Sequence, residues 1–148
     1  MAVVSSGLEL HYRDPQAALA WLERAFGLEP VLLVYGADGG LAFARIDGQV
    51  GVVPAGPGRP GPEAAGGAST ETVTIALSDD VDAHCARARA AGAKIVVEPR
   101  QEFYGDRNYV AADLEGRLWC FSQKVSEGGP PPDGWRVEFP KGLPGRRG

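Results

Sequence analysis

The chain has few cysteines, the residues that form disulfide cross-links: its 148 residues include only two. Two cysteines are too few for a disulfide framework and fit a reducing compartment. No apolar run is long enough for a membrane-spanning helix. The first ten residues have neither a basic start nor a long apolar core, so no signal peptide is expected. These absences together predict a cytoplasmic protein.

Clustered positive charge is also lacking. The formal net charge is −4, and no block of lysine and arginine precedes the extreme C-terminus. This excludes the basic stripe through which proteins bind nucleic acid. The remaining composition, 44% hydrophobic and 23% charged, is that of an ordinary globular protein, and the length suits one domain with a sizeable core. Neither a nucleic-acid partner nor a membrane is expected.

Two segments lack any periodic pattern and divide the chain. Residues 55–70 are rich in Gly, Pro and Ala, which predicts a flexible linker. Residues 124–148 form a Pro/Gly-rich C-terminal tail, in which Trp135, Val137 and Phe139 alternate with polar residues. That alternation leaves two alternatives open, a short strand or docked strap and a disordered tail. The domain is expected to span 1–123, with modules at 7–54 and 71–123.

The two modules share one order of elements, a strand, a helix and three strands. Asp14 caps the first helix with Pro15 at its first position, and Gly27 ends it. Asp79 or Asp80 caps the second helix, which stops at Gly92. The predicted strands cover 7–13, 29–35, 41–46 and 49–54, then 72–78, 94–98, 108–113 and 117–123.

One βαβββ module cannot bury its helix and both faces of its strands alone, so two modules must pack together. The predicted fold class is therefore α+β, with duplicated βαβββ modules forming a cup-shaped eight-stranded mixed sheet and the helices on its outer face. The concave face is left free to hold a ligand.

Three segments carry a resemblance to a known family: LHYRDPQAALAWLERAFG, DDVDAHCARARAAGAKIVVEP and FYGDRNYVAADLEGRLWCF. They resemble the glyoxalase/bleomycin resistance/dioxygenase (vicinal oxygen chelate) superfamily over about residues 7–123. The last segment, with its D-x-E-G-x-x-W turn, is similar to bleomycin-resistance-like members. The resemblance implies a ligand cup closed by two half-barrels. It also implies a homodimer, since two protomers often complete each cup, in a swapped or an unswapped arrangement.

Catalytic members of that superfamily bind a divalent metal through four side chains, usually His and Glu. The resemblance places these positions at Gly7, within 49–53, at Thr72 or Thr74, and at Cys120. None supplies imidazole or carboxylate, which such metals prefer. With two histidines in the whole chain, no alternative two-His site is evident. No metal or other cofactor is therefore expected.

Strand alternation assigns polar side chains to the cup. Candidate ligand-binding residues are Glu9, His11, Thr72, Thr74, Phe103, Tyr104, Tyr109 and Cys120. Each has a structural alternative: Glu9 and His11 as cross-strand or edge residues, Cys120 as a small buried residue, and FYGDR as a turn with Gly105 at positive φ and Asp106 paired with Arg107. His84 is expected to be solvated on the second helix.

Three functions remain open at this point. The leading hypothesis is a metal-free small-molecule binding protein of the bleomycin-resistance type, which holds an aromatic or cationic organic ligand near Glu9. The second is a superfamily enzyme, a lyase, isomerase or dioxygenase, which uses Glu9 and His11 as acid and base or a non-standard metal site. The third is a partner-binding module that docks through Trp135–Phe139.

Overall fold

A computed structural model describes residues 5–46, 49–67 and 71–142. Parts of the predicted linker (68–70) and tail (143–148) lie outside this range. The elements, in chain order, are β1 (Leu8–Tyr12), α1 (Pro15–Phe26), β2 (Pro30–Tyr35), β3 (Leu41–Ile46), β4 (Val50–Pro54), a 3₁₀ turn (Pro62–Ala65), β5 (Thr72–Leu77), α2 (Val81–Ala90), β6 (Lys94–Gln101), β7 (Asp106–Ala112) and β8 (Leu118–Lys124).

The strands form two four-stranded mixed sheets, in the orders β1-β4-β3-β2 and β5-β8-β7-β6. β1 runs parallel to β4 and β5 runs parallel to β8, while the other neighbours are antiparallel. The α+β class and the duplicated βαβββ order are therefore confirmed. The eight strands belong to two separately hydrogen-bonded sheets, which do not close into a barrel. No helix in the described ranges is long and apolar enough to cross a membrane.

The hairpin between β6 and β7 is tighter than the sequence predicted. Strand β6 runs through Pro99, which is compatible with a strand at the edge of its sheet. The Glu102 backbone N–H donates to the Asp106 carbonyl at 2.7 Å, which extends the hairpin to its end. Gly105 takes φ +99° there, as expected for this turn, because a side chain at that φ is strained.

Both helices begin at the aspartates that the sequence offers as caps. The Asp14 carboxylate accepts a hydrogen bond from the Ala17 backbone N–H at 3.0 Å, and Gly27 ends α1 with φ +70°. Asp80, not Asp79, caps α2, and its carboxylate accepts from the Ala83 N–H at 2.9 Å. These short-range hydrogen bonds fix where each helix enters the core.

The helices close one hydrophobic core over both sheets. Phe26 of α1 lies 4.7 Å, centroid to centroid, from Phe121 of the second sheet and 5.8 Å from Trp119. Arg87 of α2 donates to the carbonyls of Glu23 and Arg24 in the last turn of α1. The two modules therefore share a core instead of having one each.

The D-x-E-G turn between β7 and β8 joins the two modules. The buried Asp113 carboxylate accepts from the Tyr12 hydroxyl of β1 at 2.6 Å. The Arg117 guanidinium donates to the His11 carbonyl at 2.8 Å and lies over the Tyr12 ring. The Glu115 carboxylate accepts from two backbone N–H groups that follow β1. The turn is thus a structural link between modules whose sequences lie about a hundred residues apart.

Of the alternatives that the sequence left open for the tail, residues 125–142 are closest to a docked strap, although they form no strand. No strand follows β8 in this range, and Trp135, Val137 and Phe139 are exposed. The chain is instead held irregularly against the β6–β7 turn. The Gly129 N–H donates to the Phe103 carbonyl at 2.7 Å, and the Trp135 ring meets the Phe103 ring edge-on at 5.8 Å.

Candidate ligand-binding cleft

Each sheet has a buried face under the helices and an open face. In β1, Leu10 and Tyr12 are buried, while Glu9 before them is exposed and His11 between them is half-buried. In β5, Val73 is buried while Thr72 and Thr74 are exposed. The period-2 alternation of a strand produces this division, so the open faces carry the side chains that can meet a ligand.

A cleft runs over the open faces where the two modules meet. Its larger part, about 650 Å³, is bordered by both modules and includes Gly7, Thr72, Thr74 and Ala76. Its smaller part, about 530 Å³, lies over the first sheet. The two parts have Ser6, Gly7, Leu8 and Gln49 in common, so they form one continuous concave surface. Both volumes lie within the range of small-molecule sites.

Glu9 borders the smaller part of the cleft, but it forms no acid–base pair with His11. The Glu9 carboxylate lies 4.0 Å from the Arg59 guanidinium, and both groups are exposed. Within the described ranges, no hydrogen bond or ion pair joins the side chains of Glu9 and His11, and His11 borders neither part of the cleft. Arg59 therefore offsets the negative charge that the sequence offered to a cationic ligand.

Cys120 lies half-buried on the open face of β8, where it pairs in register with Thr74. Burial raises the pKa of its thiol, and the nearby carboxylates of Asp106 and Glu102 raise it further, while a hydrogen bond with Thr74 works in the opposite direction. A thiol with a raised pKa is a poor nucleophile at neutral pH. The raised pKa therefore favours a structural role for Cys120 on the open face over that of a nucleophile.

Phe103 and Tyr104 lie at the rim of the second sheet, outside the two parts of the cleft. Their rings meet edge-on at 5.3 Å, and the Tyr104 hydroxyl accepts from the Asn108 amide at 3.1 Å. The predicted ion pair between Asp106 and Arg107 is wrong, because each of the two side chains has another partner, on a neighbouring strand or on α2. Arg107 pairs with Asp82 at 2.8 Å, and Asp106 accepts from the Ser122 hydroxyl at 3.0 Å.

Two residues lie where the sequence did not place them. Tyr109 was expected in the cup, but it is fully buried on the helix side, in register with the core residue Phe121. Its hydroxyl lies 2.6 Å from His84 Nδ1, while His84 Nε2 lies 2.8 Å from the Phe26 carbonyl. The expectation that His84 is solvated is therefore also wrong. Burial lowers the pKa of His84, which favours the neutral imidazole.

The cleft residues that escaped the sequence reasoning include Phe43, Arg45 and Gly51. The alternation of β3 was the available signal. Ala44 and Ile46 are buried, so Phe43 and Arg45, which alternate with them, lie on the open face. Their proximity to Glu9 depends on the pairing of β3, β4 and β1, which local sequence does not reveal.

Comparison with known proteins identifies the family. The Glyoxalase/Bleomycin resistance protein/Dioxygenase superfamily matches residues 7–121, and the chain belongs to this superfamily. TioX from Micromonospora sp. ML1 is similar at 36% identity, covering 82% of this chain and 97% of that one with a TM-score of 0.65. No curated protein matches the sequence significantly. The domain boundary at residue 123 stays a prediction.

More distant structures share the fold. TnmS3, an antibiotic binding protein from Streptomyces sp. CB03234, is 20% identical, covering 84% of this chain and 99% of that one with a TM-score of 0.61. A glyoxalase/bleomycin resistance protein/dioxygenase from Nocardioides is 19% identical, covering 88% of this chain and 89% of that one, also with a TM-score of 0.61.

The residues at the expected metal positions do not suit the metal that catalytic members of the superfamily hold. Gly7, Thr72, Thr74 and Cys120 offer no imidazole or carboxylate, and β4 contains only Val, Gly and Pro. Across the described ranges, no group of three or more His, Cys, Asp or Glu side chains could hold a metal ion. These residues therefore support no chemical step through a metal at this site.

Proposed function

We propose that the protein binds a small organic ligand in the cleft without a metal, as a binding protein of the bleomycin-resistance type. The observation that carries the proposal is the larger part of the cleft, about 650 Å³ between the modules, which is bordered by Gly7, Thr72 and Thr74. The resemblance to the family assigns metal-ligand positions to Gly7 and to either Thr72 or Thr74. Small side chains leave space there instead of providing chemistry. The description of TnmS3 as an antibiotic binding protein supports this use of the fold.

The charges around the cleft favour an aromatic ligand over a cationic one. Arg59 lies beside Glu9, and Arg45 borders the same part of the cleft, so a cation would meet two like charges. The alternative of a lyase, isomerase or dioxygenase is less well supported. It requires either an acid–base pair, which Glu9 and His11 do not form, or a metal site that the donor set does not suit.

Filling the cleft tests the proposal. We expect native mass spectrometry of the protein, purified from cells without chelator, to show an organic adduct on some or all of the molecules. Thr74→Trp puts an indole into the larger part of the cleft and is expected to remove the adduct. Ala20→Trp, on the exposed face of α1, is the matched control and should retain it.

Two outcomes would contradict the proposal. A stoichiometric transition metal in the purified protein would make the site a metal centre. An adduct that survives in Thr74→Trp as fully as in Ala20→Trp would place the ligand elsewhere on the molecule.

We also propose that the protein is a homodimer, and that a second copy covers the edge strand β2. All six residues of β2 are uncharged, and five consecutive apolar side chains are exposed, from Val31 at 63% to Tyr35 at 54%. The equivalent edge strand β6 carries Lys94, Glu98 and Arg100. Exposed charges protect a sheet edge from pairing, and an edge without them is suited to association.

A charge in β2 is expected to break the dimer. Leu33→Lys should reduce the mass in solution, measured by light scattering after gel filtration, from that of two chains to that of one. Val96→Lys, at an exposed apolar position of β6, is the matched control and should leave the dimer intact. A monomeric wild type, or a Leu33→Lys variant that remains dimeric, would contradict the proposal.

A further inference from the structure

Strand register brings three residues side by side on the open face of the first sheet. Gly51 of β4 pairs with Arg45 of β3 on one side and with Glu9 of β1 on the other. All three border the smaller part of the cleft, of about 530 Å³. Phe43 lies two residues before Arg45 on the same strand face and borders the cleft as well.

The absence of a side chain at Gly51 determines how this floor is built. A Cβ there would lie 3.0 Å from Phe43 Cε2 and 3.3 Å from Glu9 Cγ, closer than ordinary van der Waals contact. Without a Cβ, the Phe43 ring lies against the sheet over Gly51. The floor of the smaller part of the cleft therefore includes an aromatic ring among mostly polar neighbours.

The Phe43 ring also holds the guanidinium of Arg45. Arg45 Cζ lies over the ring at 5.6 Å from its centroid. Within the described ranges, no ion pair joins this guanidinium to a carboxylate, whereas the neighbouring Glu9 lies near Arg59. The N–H groups of Arg45 are thus positioned by the aromatic ring and remain available to an anion in the cleft. A guanidinium matches the two oxygens of a carboxylate.

We propose that Phe43, Arg45 and Gly51 form a subsite for a planar aromatic acid. The acid group binds the Arg45 guanidinium, and the ring lies against Phe43 and extends along the cleft toward Gly7 and Gln49, which border both of its parts. This inference rests on the proposed function, because it specifies the ligand of the same cleft. It replaces the cationic ligand expected from the sequence with an anionic one.

Three probes with one ring system and different charges test the subsite: 2-naphthoate, 2-naphthalenemethanol and 2-naphthylmethylammonium. Isothermal titration of the full-length protein should show that naphthoate binds about tenfold more tightly than the alcohol, because a charge-assisted hydrogen bond contributes about that factor. The ammonium should bind most weakly. Raising the ionic strength should reduce the preference for naphthoate, since the cleft is open to solvent.

Variants separate the charge from the ring. Arg45→Gln should abolish the preference for naphthoate while changing the affinity for the alcohol less than about twofold, since only the ionic contact is lost. Phe43→Leu and Gly51→Ala should weaken all three probes. Arg24→Gln removes an exposed arginine on α1 and is the matched control, which should bind all three probes like the wild type.

The failure of this inference is distinguishable from that of the proposed function. If naphthoate and the alcohol bind equally, or if Arg45→Gln retains the preference, the acid subsite is wrong although the cleft binds aromatic compounds. Tighter binding of the ammonium would reverse the assignment of charge. If none of the probes binds while the purified protein carries an organic adduct lost in Thr74→Trp, the subsite is wrong and the proposed function stands.

Discussion

Asp113→Ala is expected to lower the free energy of unfolding by about 4 kcal/mol, the largest effect of any single substitution considered for this chain. The carboxylate is buried and accepts four hydrogen bonds, which come from the Tyr12 hydroxyl at 2.6 Å, the Trp119 indole at 3.0 Å, and the backbone N–H groups of Glu115 at 2.9 Å and Arg117 at 3.0 Å. Equilibrium unfolding in urea measures the loss.

The cost comes mainly from the donors that the substitution leaves behind. Tyr12 and Trp119 are fully buried, so neither can replace Asp113 by water without opening the core. Burial raises the pKa of Tyr12, and the neighbouring Asp113 charge raises it further, so the hydroxyl keeps the proton that it donates. A buried donor without an acceptor costs about 1–3 kcal/mol. Tyr12 belongs to the first module and Trp119 to the second. Losing the carboxylate to which both donate therefore weakens the contact between the modules.

Two further variants make the prediction specific. Asp113→Asn keeps the shape of the side chain but replaces one acceptor oxygen by a donor amide. Of the unfolding free energy that Asp113→Ala loses, Asp113→Asn should therefore recover less than half. Asp79→Ala removes an exposed carboxylate next to the α2 cap and should change stability by less than about 0.5 kcal/mol. A loss below about 1 kcal/mol for Asp113→Ala would mean that the modules are held together by the hydrophobic core alone.

The elements that the sequence predicted correctly are those whose causes are local. Asp14 and Gly27 bound α1 through hydrogen bonds that span only three or four residues. The faces of β1 were also predictable, because Leu10 and Tyr12 alternate with Glu9 and only one face of that strand is apolar. A pattern of period 2 or 3.6 is sufficient where the two faces differ in polarity.

The incorrect predictions concern residues whose partners are distant in sequence. Tyr109 and Val110 are both apolar neighbours in β7, so alternation could not decide which faces the core. His84 lies one turn from Arg87 in α2, and its partner Phe26 lies 58 positions away. The cleft residues Phe43 and Gly51 meet only through strand register. Each of these contacts depends on tertiary packing, which local propensity does not determine.

His84→Ala is expected to lower the free energy of unfolding at neutral pH by about 3 kcal/mol. The Phe26 carbonyl can only accept, so Nε2 carries the proton, and Nδ1 accepts from the Tyr109 hydroxyl. The imidazole also packs at 4.3 Å from the Phe121 ring. The substitution leaves the Tyr109 hydroxyl without an acceptor. It also leaves the Phe26 carbonyl, at the C-terminal end of α1, without the donor that His84 provides.

Tyr109→Phe is the matched variant, because it removes only the hydroxyl and keeps the ring in the core. It should cost about 1 kcal/mol, and the double variant should cost less than the sum of the single ones by about the same amount. Strictly additive losses would mean that the 2.6 Å contact between the hydroxyl and Nδ1 contributes nothing to stability.

The stability that His84 contributes should depend on pH in a defined direction. Burial lowers the pKa of His84 from its usual 6.5; the hydrogen bond to the Phe26 carbonyl opposes this shift and the charge of Arg87 adds to it, so the folded state favours the neutral ring. The contribution is fully present above the unfolded pKa and is lost as the pH falls toward the folded pKa. The difference in unfolding free energy between wild type and His84→Ala should therefore shrink as the pH is lowered below about 6.5, where protonation also removes the acceptor at Nδ1.

Taking this difference between the two proteins at each pH cancels the titration of the carboxylates that they share. A difference that stays constant on acidification would show that folding does not lower the pKa of His84, and one that grows would show that the folded state favours the charged imidazole, with Tyr109 accepting from it.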